Sequence, residues 1–265
     1  MLDLAYQVLR AATPSEKVKA ALDWQSRMKA AIMTPTPLAE PLADYPARPD
    51  TPRLVPPNEV KKRRLGSVEG RIALLHAIAH IEFNAIDLAA DMVCRFSFDP
   101  RLSENDRADF ILDWAKVCSE EAKHFSLIRA RLKELGADYG TLPAHGGLWA
   151  AAVNTKHDIA ARLAIAPMVL EARGLDVTPA MIDKLKTVGD MDSVAILEII
   201  YAEEVGHVKI GTDWFHHIAR AEKRPAKDYF RQLVTQYFNG SVKPPFNIPA
   251  RDLAGLQEAY YAGLE

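Results

Sequence analysis

A five-residue pattern, Glu-Glu-x-x-His, occurs twice in this chain. It reads "EEAKH" at residues 120–124 and "EEVGH" at residues 203–207, each time inside a long helical stretch. Glu and His three residues apart share one helix face. If both pairs point inward, two long helices must bring them together, because a buried carboxylate needs a partner. Two solvent-facing pairs would impose no such constraint. The count of motifs does not separate these readings; the register of the neighbouring residues does.

Each helical residue advances about 100° around the axis. The face of Glu121 carries Phe110, Trp114, Val117, His124, Phe125, Ile128 and Leu132, whereas Glu120 shares its face with Asp113, Lys116 and Lys123. Glu204 lies in a stripe with Leu197, Ile200, Tyr201, His207, Val208, Phe215 and Ile218. Glu82 sits among Ile72, Leu75, Ile78, Ala79, Ala85, Ile86, Ala89 and Val93. Glu171 follows the same rule less cleanly, with Ala160, Ala164 and Met168 behind it. Four carboxylates and two histidines thus fall on apolar faces, and a cation is the natural common partner. The second Glu of each pair is the inward one. Glu121→Ala is therefore expected to abolish metal binding, and Glu120→Ala to spare it.

The long helical patterns number four. The first spans about Ser67–Phe96, and the second about Ser103–Leu135 with Gly136 as its stop. The third covers about Thr155–Arg173 and holds Pro167, which should kink it; the fourth covers about Asp192–Ala221. An antiparallel hairpin of the first two helices sets Glu82 level with Glu121 and His124 across a turn near "DPRLS". The same register for Glu171 and Glu204 requires residues 174–188 to continue along helix three. "RGLDVTP" argues instead for a break and a separate short helix at about Pro179–Val188. The 136–155 stretch, rich in Gly and Pro, reads as a long crossover loop. Short helices are expected at 2–12, at 15–33 capped by Ser15 with Lys17 and Lys19 facing solvent, and near 226–238 and 250–263. Residues 34–57 are dense in proline and read as an extended segment docked on the body. No alternating run is long enough for a strand, so the fold class is all-α. The expected organisation is an N-terminal layer at 1–66, a four-helix bundle at 67–222 and a helical tail at 223–265.

Several function classes are disfavoured. A net charge of −2 in a chain of 265 residues argues against a general nucleic-acid surface. The local run Lys61, Lys62, Arg63 and Arg64 could bind RNA or phosphate, but it lacks interleaved aromatics and reads first as a solvated charge run. No uncharged apolar run approaches the ~20 residues of a membrane span. The N-terminus does not read as a signal peptide. Cys94 and Cys118 are the only cysteines, in registers too far apart to bond, and a cytoplasmic location is expected. His76 and His80 share the polar face of helix one with Glu69, Asp87 and Asp91. Hydrogen bonds to the N-terminal segment are expected of them rather than a second metal.

A Glu from each of two helices and a Glu-x-x-His from each of two others is the ligand pattern of ferritin-like di-iron and di-manganese proteins. Over about residues 67–220 this chain resembles that superfamily. The stretches "PPNEVKKRRLGSVEGRIALLHAIAHIEFNAIDLAADMV" and "LEARGLDVTP" resemble a bacterial ferritin-like family of undefined function. The resemblance implies a ferritin-like four-helix bundle with Glu82, Glu121, His124, Glu171, Glu204 and His207 as ligands to two metal ions. Carboxylate and imidazole without thiolate suit iron best, manganese next, zinc less. Two ions bridged by Glu121 and Glu204 would lie about 4 Å apart. The implied chemistry is oxidation by O2 or peroxide, hydroxylation included, on a small or tethered substrate; tRNA hydroxylation is one version. Tyr201, one turn before Glu204, is a candidate for an electron or hydrogen-bond relay, with a core role as its plainer reading. Iron storage with ferroxidase activity, a non-catalytic helical protein, and a homodimer are the alternatives left open.

Overall fold

The computed structural model describes residues 1–30, 35–60 and 64–264. Among them all regular structure is helical, with one isolated bridge between Leu54 and Ala144. Helix α1 is Leu2–Arg10 and α2 is Pro14–Ala30. The long helices α3 (Val68–Phe96) and α4 (Glu104–Glu134) form an antiparallel hairpin. Their ends follow from local chemistry. Ser67 Oγ accepts from the Gly70 N–H at 3.1 Å. Ser103 and Asp106 form a capping box at the start of α4, and Gly136 closes it at φ 84°.

After a connection carrying α5 (Gly147–Asn154) come α6 (Ile159–Ile165), a π-helical segment (Ala166–Glu171) and α7 (Ala172–Thr187). These three run on without interruption, so the expected break at "RGLDVTP" does not occur. Pro179 has no N–H to offer the Leu175 carbonyl, yet that carbonyl accepts from the Asn247 side-chain amide at 3.1 Å. The C-terminal segment thus supplies the hydrogen bond that proline removes. Pro167 does not kink a plain α-helix either. It lies in the π segment, pressed on α8 (Met191–Ala221) at Gly211, where a Cβ would come within 2.3 Å of the proline Cβ. Helix α5 is the element that the sequence reading treats as loop, because Pro143, Gly146 and Gly147 hide the short apolar run behind them.

The N-terminal layer corrects two further expectations. Thr13, not Ser15, caps α2: its Oγ1 accepts from the Glu16 N–H, and Glu16 accepts from the Thr13 N–H at 3.1 Å. Lys17 does not face solvent. It is fully buried, with Nζ 2.5 Å from Asp87 and donating to the Val8 carbonyl at 3.1 Å. The polar face of α3 is therefore interior. Arg162 pairs with Asp91 at 2.5 Å. His76 accepts from the Gly140 N–H, and His80 shares a hydrogen bond with the Tyr139 hydroxyl at 2.9 Å. The partners of the two histidines come from the α4–α5 connection, not from the N-terminal segment. The Pro-rich segment is docked, with Asp44 O accepting from the Trp149 indole and Arg48 donating to Asn84 at 2.7 Å.

Helix α9 is Ala226–Tyr237. The helix expected at 250–263 is two, α10 (Ile248–Leu253) and α11 (Glu258–Tyr261), parted near Gly255 at φ 77°. Arg251 makes a buried two-point pair with Asp176 of α7 at 2.8 and 2.7 Å, which fastens this tail. Cys94 and Cys118 are free. Lys61, Lys62 and Arg63 lie outside the described residues, and Arg64 is exposed. By length and composition α3 alone of the described helices could cross a membrane, and 67% of its apolar window is buried inside the fold.

Candidate metal centre

The hairpin register delivers the first half of the site. Antiparallel α3 and α4 put Cys118 Sγ 3.5 Å from the Ile86 carbonyl, and one helical turn further on His124 Nδ1 meets Glu82 Oε2 at 3.2 Å. Helix α8 crosses beside them. One ligand atom each from Glu82, Glu121, His124 and Glu204 lies within 4.8 Å of the others, so this cluster could hold a metal ion. His207 joins from α8, its Nδ1 2.9 Å from Glu121 Oε1 and 3.5 Å from Glu204 Oε1. The two imidazole centroids are 5.7 Å apart. Glu171 arrives at the end of the π segment and lines, with Glu82, Glu121 and Glu204, one cavity of about 180 Å³. The extra residue of a π turn rotates the helix beyond it, and here that turn ends on the carboxylate.

Tyr201 is placed differently. Its hydroxyl accepts from Asn247 Nδ2 at 2.7 Å, and its ring is not among the residues lining that cavity.

The first Glu of each pair is not a solvated charge, contrary to the sequence reading. Glu120 Oε2 lies 2.9 Å from His207 Nε2, and Glu203 Oε2 lies 2.8 Å from His124 Nε2. Each motif therefore steadies the histidine of the other. A carboxylate can only accept, so Nε2 donates to it, and Nδ1 is the ring nitrogen turned toward the cluster, where it faces Glu82 or Glu121. Lys123 pairs in turn with Glu203. This crossing is invisible in a single-helix register, because it depends on how α4 and α8 face one another.

Both oxygens of Glu121, one of Glu171 and Nδ1 of His207 are buried without a well-aligned hydrogen bond among the described residues; Glu121 Oε1 and His207 Nδ1 meet only as an ion pair at 2.9 Å. Buried polar atoms are nearly always satisfied. The electrostatics match. Burial, then repulsion from Glu121, pushes the Glu82 carboxyl well above the ordinary range. Burial with Glu204 and Glu121 nearby raises Glu171 to about 8. Burial works against ionisation of Glu121 too, yet His207 and His124 outweigh it and hold that carboxyl low. His124 overcomes its own burial through Glu121 and Glu82 and rises to about 11. Protons thus occupy positions that a divalent cation would neutralise better, and the donor set of carboxylate and imidazole fits iron or manganese.

A family described as "Protein of unknown function (DUF455)" matches residues 10–262. An uncharacterized protein of Haemophilus influenzae is 40% identical over 254 residues, which is 94% of this chain and 88% of that one. No solved structure matches. With a family match across nearly its whole length and a relative this similar, the chain belongs to the DUF455 family.

Proposed function

We propose that α3, α4, the continuous α6–α7 rod and α8 form a ferritin-like four-helix bundle that holds two metal ions, iron before manganese. On this reading the protein is an oxidoreductase using O2 or peroxide on an organic substrate. Residues 67–222 would be the metal-carrying unit, with 1–66 and 223–265 as layers upon it. The observation that supports the reading is the buried cluster of Glu82, Glu121, His124 and Glu204, joined by His207 beside Glu121 and by Glu171 in the same cavity.

On this reading the ligands divide by their distances. Glu204 Oε1 is 3.7 Å from His124 Nδ1 and 3.5 Å from His207 Nδ1, nearly midway between them. Glu121 reaches both histidines, at 3.6 and 2.9 Å. These two carboxylates would each serve both ions. Glu82 belongs with His124, and Glu171 would complete the side of His207. A bound pair of redox metals would supply the oxidising chemistry. The protein's part is to hold each imidazole through Glu120 or Glu203, so that Nδ1 would exchange its proton for a metal ion. It also shields the centre with Ile78, Ile81, Leu170, Val177 and Met181. That apolar wall favours an organic substrate over the passage of hydrated iron, and so over the storage reading. Metal content per chain, with Glu121→Ala as the comparison, tests the proposal.

A further inference from the structure

The inner cavity does not stand alone. Met181 lines both it and a larger outer groove of about 1030 Å³. The two share their walls. On α3, Gly70, Ala73, Leu74 and Ala77 face the groove, and the same helix continues with Ile78, Ile81 and Glu82 in the cavity. On α7, Lys184 faces the groove, Met181 stands at the junction, and Val177 and Gly174 lead on to Glu171. The small side chains on both walls leave the space, and the larger ones make it apolar. From Gly70 to Glu82 the passage is on the order of 18 Å long at the helical rise. Ile81, in the cavity wall, is 51% exposed and Val188, at the groove, is 36% exposed, so part of this apolar lining meets solvent.

The outer end is cationic. Arg64 and Lys184 line the groove, and neither has an ion-pair partner among the described residues, where most other arginines of the fold do. An elongated apolar groove with a basic outer end, leading to a carboxylate-lined cavity, suits a molecule with one long apolar chain and one anionic head. We infer that this channel binds a single-chain fatty acid, its carboxylate at Arg64 and Lys184 and its alkyl end toward Glu82 and Glu171. The assignment rests on the metal-centre reading only for what happens at the inner end; the channel itself belongs to the metal-free chain.

The test is binding of octanoate, laurate and palmitate, below their micellar concentrations, to the full chain by calorimetry, with dodecanol for comparison. Affinity should rise at least tenfold from octanoate to laurate, at one site per chain. Gly174→Leu and Ala77→Trp fill the passage. A Cβ at Gly174 meets nothing within 4 Å and Ala77 is exposed, so both variants should fold. Each should weaken laurate at least tenfold, and Ala77→Trp, which lies outside the cavity of the ligand carboxylates, should leave metal content unchanged. Arg64→Glu with Lys184→Glu should weaken laurate at least fivefold and leave dodecanol as it was. Affinity independent of chain length, or laurate bound equally well by the filled variants, overturns the channel. Laurate unaffected by the charge reversal overturns the orientation. Binding to phosphatidylglycerol vesicles without binding of monomeric laurate overturns it in favour of a membrane surface. Metal content, read separately on the same samples, reports on the metal reading alone.

Discussion

Replacing Glu120 by alanine removes a carboxylate that a helical wheel of α4 assigns to solvent. In the folded chain its Oε2 is 2.9 Å from His207 Nε2, its other oxygen is 3.9 Å from Lys116 Nζ, and the side chain is 21% exposed. If Glu120 were only one half of an exposed i,i+4 pair, its loss would change stability by a few tenths of a kcal/mol and leave metal untouched. Because it holds the imidazole that points at the cluster, the expected loss is about 10–100-fold in metal affinity, or roughly 1.4–2.8 kcal/mol. The loss should fall toward the lower end, since water can reach the freed Nε2. Glu203→Ala should behave alike through His124, with a side chain 28% exposed and a bond of 2.8 Å. Lys123→Ala, which only supports Glu203, should cost less than either. Chelator competition titrations give the affinities, and denaturant melts of the metal-free proteins show whether the fold is intact. Losses in the double variant should multiply if each histidine serves its own ion. A Glu120→Ala protein within twofold of wild type would mean that the bond to His207 does not govern the site.

Three other expectations concern the frame around the site. Lys17→Met leaves Asp87 buried without its cation and should destabilise the fold by about 3–5 kcal/mol, read from the denaturation midpoint; a shift under about 1 kcal/mol would show that Asp87 is carried by other groups. Gly211→Ala drives a methyl into Pro167 and should cost about 1–3 kcal/mol, whereas Gly206→Ala on the same helix, where a Cβ meets nothing within 4 Å, should not. Burial lowers His76 and His80 to about 4, so both fold neutral. The unfolded chain binds more protons than the folded one between 6.5 and about 4, so their contribution is intact above pH 6.5 and is lost as pH falls through that window. His76→Gln with His80→Gln should flatten this dependence in urea melts; an unchanged slope assigns the acid sensitivity elsewhere.

The parts of this molecule that are legible in the sequence are those fixed by one helix at a time. Ser67, Ser103 and Gly136 end α3 and α4 through bonds within a few residues, and the apolar stripes around Glu82, Glu121 and Glu204 are properties of single helices. The hairpin turn is equally plain, since both of its helices are long and end cleanly. The rest depends on contacts between distant segments. Pro179 looks like a helix breaker until Asn247, far along the chain, takes the Leu175 carbonyl. Lys17 looks solvated until Asp87 is brought to it. Glu120 and Glu203 look idle because the histidine each one serves stands on the other helix. The polar face of α3 has the pattern of a surface, yet a second layer of the chain covers it.

The central claim is that six side chains on four helical rods hold a pair of metal ions. Its most direct test is elemental analysis of the full chain made in iron- and manganese-supplied cells, then of the metal-free chain reloaded anaerobically with Fe(II), alongside Glu121→Ala. Two iron or manganese ions per wild-type chain are expected, and almost none in the variant, which should keep its helical content. A wild-type chain that takes up no metal in either experiment, or a Glu121→Ala chain that takes up as much as wild type, would contradict it.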